Sequence, residues 1–344
     1  MPSMNQKLQS VALLEPDTEL FGISLMSMLT VPRFSRTLHE EALVKRLLLI
    51  DGAWQDAHGN VHIRNGASRV IFSAHTDTVH KQRDVTPYDV QYSKGVLSRG
   101  ITLEGKGGGV LGADCASGIF IMLAMLAADV KGHYVFHRDE EIGGRGSAFA
   151  ASCINEGEYD MCVAFDRRGY GDVITSMARG KTASDEFATA LADQLNTNLK
   201  GADAGYQADP TGVFTDSANY TEVVPECTNI SVGYDCEHSL YESQDFEFMR
   251  GLIASLIQVD WAALPVVRDV TDSGYAGGSW WDKYDTDSYM NPADRAALAD
   301  LLELTELCKD NPEGVAEFLY YQSGADPAEL REYLDVINSQ DIPF

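Results

Sequence analysis

Between about residues 20 and 265, short apolar runs alternate with amphipathic stretches. This alternation restricts the chain to a layered α/β domain. The strand-like runs are 61–64 (VHIR), 69–74 (RVIFSA), 134–138 (YVFHR), 161–166 (MCVAFD) and 228–234 (TNISVGY). Helical periodicity covers 36–49, 119–128, 183–196 and 246–264. Four metal-binding residue types stand at or just past the C-terminal end of a run: His75, Glu141, Asp166 and His238. Open α/β sheets place their sites at those ends.

Composition narrows the partners. With 344 residues and 44% hydrophobic residues, the chain is long and apolar enough for a real core. Acidic residues outnumber basic ones 52 to 26, a net charge of −26, so phosphate backbones and anionic lipids are repelled. Nucleic-acid and membrane partners are therefore not expected. The N-terminus lacks a basic start and a continuous apolar stretch, and the six cysteines form no CxxC pair. A cytoplasmic protein with reduced thiols is the expectation, and Cys236 reads as a small buried thiol. Residues 1–265 are expected to form the catalytic domain and 266–290 a linker. Residues 291–344 read as an acidic helical unit, whose helices start at Asn291-Pro292, Asn311-Pro312 and Asp326-Pro327. The Trp280–Trp281 and tyrosine cluster is expected to pack this tail over the core. The sequence sets no oligomeric state.

Each candidate site residue has an ordinary alternative when taken alone. In SAHTDTVH (73–80), Asp77 can accept from one nitrogen of His75 and leave the other for a metal; a strand-end His–Asp pair is also common without one. Asp114 in LGADCASG (111–118) is either a ligand in a tight turn or the N-cap of the following helix. Glu140 and Glu141 in RDEEIGGRGS (138–147) sit at a strand end, where neighbours point to opposite sides. One can ligate while the other acts as a base, or both belong to a solvated loop. Asp166 closes an apolar strand, where a carboxylate needs a metal or a partner such as Arg167 or Arg168. His238, in GYDCEHSLYES (233–243), reads alone as an ordinary histidine. Two histidines and three carboxylates together suit two divalent cations sharing one carboxylate.

The ordered set His-x-Asp, Gly-Ala-Asp, Glu-Glu-x-Gly, strand-end Asp and late His resembles the co-catalytic zinc exopeptidase superfamily (clan MH). The likeness covers roughly residues 20–265. It includes the DAHGN turn (56–60) and the GKGGGVLGAD stretch (105–114), which is especially like tripeptidase T. The resemblance implies a mixed, mostly parallel central sheet flanked by helices, of the phosphorylase/hydrolase-like kind. It assigns His75 and Asp166 to one metal, Glu141 and His238 to the other, and Asp114 as the bridge. Glu140 becomes the general base and Asp77 the residue behind His75. The implied cofactor is a pair of divalent cations, Zn2+ with Co2+ or Mn2+ chemically compatible. The family places Asp or Asn after the bridging aspartate, with a cis peptide between them; here the residue is Cys115. The stretch between Asp166 and His238 is too short for the lid domain of tripeptidase T and carboxypeptidase G, so a compact form is expected.

The functional expectation is a metal-dependent aminopeptidase acting on short peptides. An N-acyl amino-acid deacylase or carboxypeptidase is the nearest alternative. Such enzymes need a cation for the substrate carboxylate, and Arg145, Arg167 and Arg168 are the candidates. A non-catalytic metal-binding scaffold is the reading from another class; against it, every expected ligand and the base are present.

Overall fold

The computed structural model describes residues 3–80, 86–99, 110–177, 180–199 and 205–271. The sheet is built early in the chain by β1 (Ala53–Gln55), β2 (Val61–Asn65) and β3 (Val70–His75), then, after β4 (Gln91–Ser93) and β5 (Val96–Ser98), by β6 (Gly132–His137) and β7 (Met161–Arg167). It is completed by β8 (Asp172–Ile174), β11 (Gln207–Asp209) and β12 (Glu226–Ser231); β9 (Ser176–Met177) and β10 (Gly180–Lys181) pair with each other, and β13 (Tyr234–Asp235) and β14 (Ser243–Asp245) follow. The helices are α1 (Met4–Ala12), α2 (Leu25–Leu29), α3 (Leu38–Leu47), α4 (Ala113–Ala127), α5 (Arg145–Ser152), α6 (Asp185–Asn198) and α7 (Phe246–Leu256).

The eight-stranded main sheet runs β1-β2-β6-β3-β7-β12-β8-β11. Its centre, from β6 to β12, is parallel, whereas β1, β2 and the β12–β8 step are antiparallel. This is the mixed, mostly parallel α/β sheet the sequence implied. β3 is buried along its whole length because both faces are covered. Ile71 packs with Val135, Ala150 and Tyr220 on one face. Its neighbour Phe72 turns to the other face against Tyr134, Phe165 and Trp261. A smaller sheet, β13-β14-β5-β4, stands beside the site.

The crossover from β3 to its parallel neighbour β6 runs through α4, which is apolar all round and packs on β3 and β7. Gly118 makes this approach possible: a Cβ there would collide with the Phe165 carbonyl oxygen and the Cys115 sulfur. α4 therefore brings its N-terminus, with Asp114, close over the strand ends.

Two sequence expectations shift. The closing helix ends at Leu256 rather than 264, and a separate 3₁₀ turn covers Trp261–Ala263. Asp260 leaves the helix register, and its N–H is taken by the Gln194 side chain instead of a helical carbonyl. The α1 and α5 helices were not anticipated; α1 is secured by a Ser3–Gln6 capping box. The opening of the expected linker is fastened to the domain. Val267 and Arg268 donate their N–H groups to Glu226, and the Arg268 guanidinium reaches the carbonyls of Thr221, Val224 and Pro225. The rest of the expected linker, its aromatic cluster and the helical unit at 291–344 lie outside the described residues. Among the described residues, no helix is long and apolar enough to cross a membrane.

Candidate metal centre

The three adjacent parallel strands β6, β3 and β7 deliver three ligand-bearing segments to one end of the sheet. His75 is the last residue of β3, and Asp166 is the penultimate residue of β7. Glu140 and Glu141 follow β6. Asp114 enters from the start of α4, where it and Cys115 leave helical geometry and the peptide between them is cis. The cis peptide that the resemblance implied is thus present with cysteine at the second position. Cys115 is fully buried, and its thiol donates to the Phe165 carbonyl at 3.2 Å. His238 arrives on the turn between β13 and β14 with φ 58.

All five residues meet. His75 Nε2 lies 3.0 Å from Asp114 Oδ1 and 3.3 Å from Asp166 Oδ1. His238 Nε2 lies 3.1 Å from Asp114 Oδ2 and 3.3 Å from Glu141 Oε1. The two oxygens of Asp114 therefore face two different imidazoles. Glu140 Oε2 sits 4.0 Å from His75 Nε2, beside both groups and joined to neither as closely. Asp114, Glu141 and His238 place one donor atom each within 4.8 Å of one another, the spacing around a single ion.

One expectation about this loop is corrected. Strand alternation does not separate Glu140 from Glu141, because β6 ends at His137 and both glutamates lie in a turn. Asp139 holds the left-handed φ of 64 that starts the turn, and the Glu140 carbonyl accepts from Gly143 and Gly144. Both carboxylates consequently line the same cleft.

Buried side chains fasten each ligand segment. His75 Nδ1 donates to the Asp77 backbone carbonyl at 3.0 Å, which leaves Nε2 free to face the cleft. The Asp77 carboxylate, 3.6 Å from that ring, accepts from the N–H groups of Glu140 and Glu141 at 3.1 Å each. Asp77 thus ties the first ligand segment to the third. Glu242 does the same for the second: its carboxylate accepts from the N–H groups of Leu111, Gly112 and Asp114 at 2.7, 3.0 and 3.1 Å. Asn229 pairs both ways with the backbone of Asp166. Thr215 and Tyr234 donate their hydroxyls to the two Asp166 oxygens. The DAHGN turn has a related purpose. Its Asn60 accepts from the Arg138 N–H and donates to the Gly146 carbonyl, and its His58 pairs with Asp139. Any side chain at Gly146 would strike Asn60 and the Arg138 backbone.

Glu242, Asn229, Thr215 and Tyr234 were not identified from sequence. Asn229 had a signal, a polar residue inside an apolar strand. Glu242 had none, since its three partners lie about 130 residues away in the chain. Cys236, expected to be buried, is exposed, in a loop where its φ is 55.

The charges are out of balance. Burial, then the nearby Asp114 carboxylate, pushes Glu141 up to about 7 and Asp166 up to about 6. Burial pushes Glu140 well above the usual carboxyl range, and the Glu141 and Asp166 anions add to it against the opposing pull of His75. Burial disfavours charge on His238 too, yet its contacts to Asp114 and Glu141 raise it to about 12. Glu141 Oε1 is buried, and His238 Nε2, 3.3 Å away, does not meet hydrogen-bond geometry with it. This donor set holds protons where it lacks positive charge, the behaviour of a site suited to cations.

The centre forms the floor of a cleft of about 240 Å3, walled by Arg167, Arg168, Ile174, Met177, Val213 and Phe214 as well as Glu237. Arg167 is paired with Asp172 at 2.9 Å and Arg168 with Glu237 at 2.9 Å. Arg145, at the start of α5, is not among the cleft-lining residues.

No family model matches the sequence, and no curated protein does. Solved structures do match. An aminopeptidase from the archaeon Desulfurococcus kamchatkensis is 17% identical, with a TM-score of 0.48 over 74% of this chain and 93% of its own. PepT aminopeptidase from Bacillus cereus is 13% identical, with a TM-score of 0.47 over 74% of this chain and 98% of its own. A tripeptidase from Staphylococcus aureus is 12% identical, with a TM-score of 0.50 over 73% of this chain and 96% of its own. At that identity the likeness speaks for architecture, and the chain shares the α/β fold of the tripeptidase.

Proposed function

We propose that this protein is a two-metal hydrolase of amide bonds, an aminopeptidase acting on short peptides. The observation that carries the reading is the divided Asp114 carboxylate, one oxygen on the His75–Asp166 side and the other on the His238–Glu141 side. In this reading His75 and Asp166 would hold one cation and Glu141 and His238 a second, with Asp114 shared between them. The orphaned Glu141 oxygen and the acid-crowded donor set fit such a pair. Imidazole with carboxylate suits Zn2+, and also Co2+ or Mn2+.

When bound, the cations supply Lewis-acid polarisation of the scissile carbonyl and a more acidic water. Glu140 takes the proton of the attacking water and passes it to the leaving amine nitrogen. Asp77 keeps Glu140 and Glu141 in register through their two N–H groups and keeps His75 Nε2 pointed at the cleft. The neighbouring structures described as aminopeptidases and a tripeptidase support this class of reaction. Among the described residues that line the cleft, both arginines are already paired with carboxylates, which weighs against the deacylase alternative. The free thiols among the described cysteines support residence in a reducing cytoplasm.

The test is direct. The purified protein should carry two divalent cations per chain by elemental analysis. It should hydrolyse aminoacyl-anilides, lose that activity to a chelator and regain it with Zn2+. Cleavage of N-acyl amino acids alone would rule out the aminopeptidase, and a protein that binds no cation would rule out the hydrolase.

A further inference from the structure

Five carboxylates line the cleft: Asp114, Glu140, Glu141, Asp166 and Glu237. Four have roles in the proposed reaction, and Glu237 has none. Its side chain stands next to His238 in the chain, flanked by two non-glycine residues in left-handed geometry, Cys236 at φ 55 and His238 at φ 58. Arg168 Nη1 grips one of its oxygens at 2.9 Å. The other, Oε2, is shielded from solvent and has no hydrogen-bond donor among the described residues. A carboxylate oxygen in that state is costly unless a donor arrives.

We infer that Glu237 is the receptor for the free α-ammonium group of the substrate, and that Arg168 is the residue that positions it. This deepens the aminopeptidase reading and rests on it. Three features select an ammonium over other donors. The partner must be a cation, because Oε2 belongs to a carboxylate whose counter-charge, Arg168, is more than half exposed and neutralises it weakly. It must be small and attached close to the reacting carbonyl, because Glu237 lines the same cleft of about 240 Å3 as Glu140 and the proposed ligands. In an amino-terminal residue the nitrogen lies about 2.5 Å from the carbonyl carbon, two bonds away. It must also be carried by a molecule that enters the cleft, since no described residue of the protein fills the role. The same cleft presents Ile174, Met177, Val213 and Phe214, an apolar surface for the first side chain. The substrate class is thus a short peptide with an unblocked, apolar first residue. Glu237 binds the amine and touches no reacting atom.

The experiment compares leucyl-anilide with its N-acetyl form and with the analogue bearing a hydroxyl in place of the amine. Wild-type protein loaded with Zn2+ should prefer the free amine over both. Glu237→Gln, which keeps size and polarity, should raise KM for the leucyl substrate about 30-fold and erase most of the preference, with kcat changed much less. Zinc content, measured in parallel, should match wild type. An unchanged preference in Glu237→Gln overturns the inference and leaves the two-metal reading intact. If Glu237→Gln loses metal or fails to fold, Arg168→Gln carries the test. It retains the carboxylate and releases its grip, so KM for the free amine should rise about threefold to tenfold while the hydroxyl analogue is unaffected. A KM that does not move in Arg168→Gln overturns the positioning role. Wild-type protein that holds zinc and cleaves none of the three substrates removes the functional reading, and this inference with it.

Discussion

Two polar clusters among the described residues, both built around histidine and aspartate, behave in opposite ways. One is the cleft centre of His75, His238, Asp114, Asp166 and Glu141. The other lies at the β1–β2–β6 edge of the sheet, where Asp56, His62, His133 and Tyr159 form a chain. His62 Nε2 donates to Asp56 at 3.1 Å, His133 Nε2 donates to His62 Nδ1 at 3.0 Å, and the Tyr159 hydroxyl donates to His133 Nδ1 at 2.7 Å. With the donors in that order every ring nitrogen has a partner. Trp54 stacks on both rings. Burial, with His62 and Arg64 nearby, lowers His133 to about 2. In the cleft, the carboxylates surrounding His238 outweigh its burial and raise it to about 12. The edge cluster needs nothing from outside; the cleft cluster has excess anions and an orphaned oxygen. Residue identity does not separate a structural polar network from a candidate cation site. The balance of donors and charge does.

The contrast can be broken first by removing the proposed proton carrier. Glu140→Gln should lower kcat by about a thousandfold with the cation content unchanged, because general acid–base catalysis supplies about 10² to 10⁴. A loss below tenfold would mean that another group carries the proton. Asp56→Asn in the edge cluster, measured alongside, should lower stability and leave cation binding in place.

A smaller effect is expected at the residue behind the first histidine. Asp77→Asn should weaken cation affinity about 10- to 100-fold in a competition titration with a chelating dye, as observed for outer partners of metal ligands. If affinity holds while activity falls, Asp77 serves the Glu140 turn rather than the histidine.

The smallest effect sharpens the edge cluster. His133 has its folded pKa depressed to about 2, against an unfolded value near 6.5. Below 6.5 the unfolded chain binds a proton that the folded one does not. Its contribution is therefore full above about pH 6.5 and is lost as pH falls towards the folded value, by up to about 1.4 kcal/mol per pH unit. His133→Phe should flatten the dependence of urea-unfolding stability on pH between 6 and 4 while leaving the neutral-pH preference for free-amine substrates alone. An unchanged slope would show that the edge cluster already accepts protons when folded.

Much of this organisation was legible along the chain. The apolar runs at 69–74, 134–138 and 161–166 became the three central parallel strands, because strands covered on both faces must be apolar throughout. The five candidate ligands and the base were readable because each stands in a local context with its own signature, such as His-x-Asp or Glu-Glu-x-Gly-Gly. The turn at Asp139 was not readable. A left-handed aspartate is set by its pairing with Arg36 and His58, and those residues come from a distant part of the chain. Glu242 was invisible for the same reason.

By itself, then, the sequence determined the layered architecture and the roster of candidate ligand side chains. Both follow from short-range periodicity and from the cost of leaving a carboxylate at the end of an apolar strand. The tertiary structure alone decided that Asp114 divides its oxygens between two imidazoles, that Asp77 and Glu242 clasp the backbones of the ligand loops, and that Glu237 is left with an unmet oxygen in the cleft. These are matters of distance and electrostatic balance between segments as much as about 130 residues apart, and no local pattern encodes them.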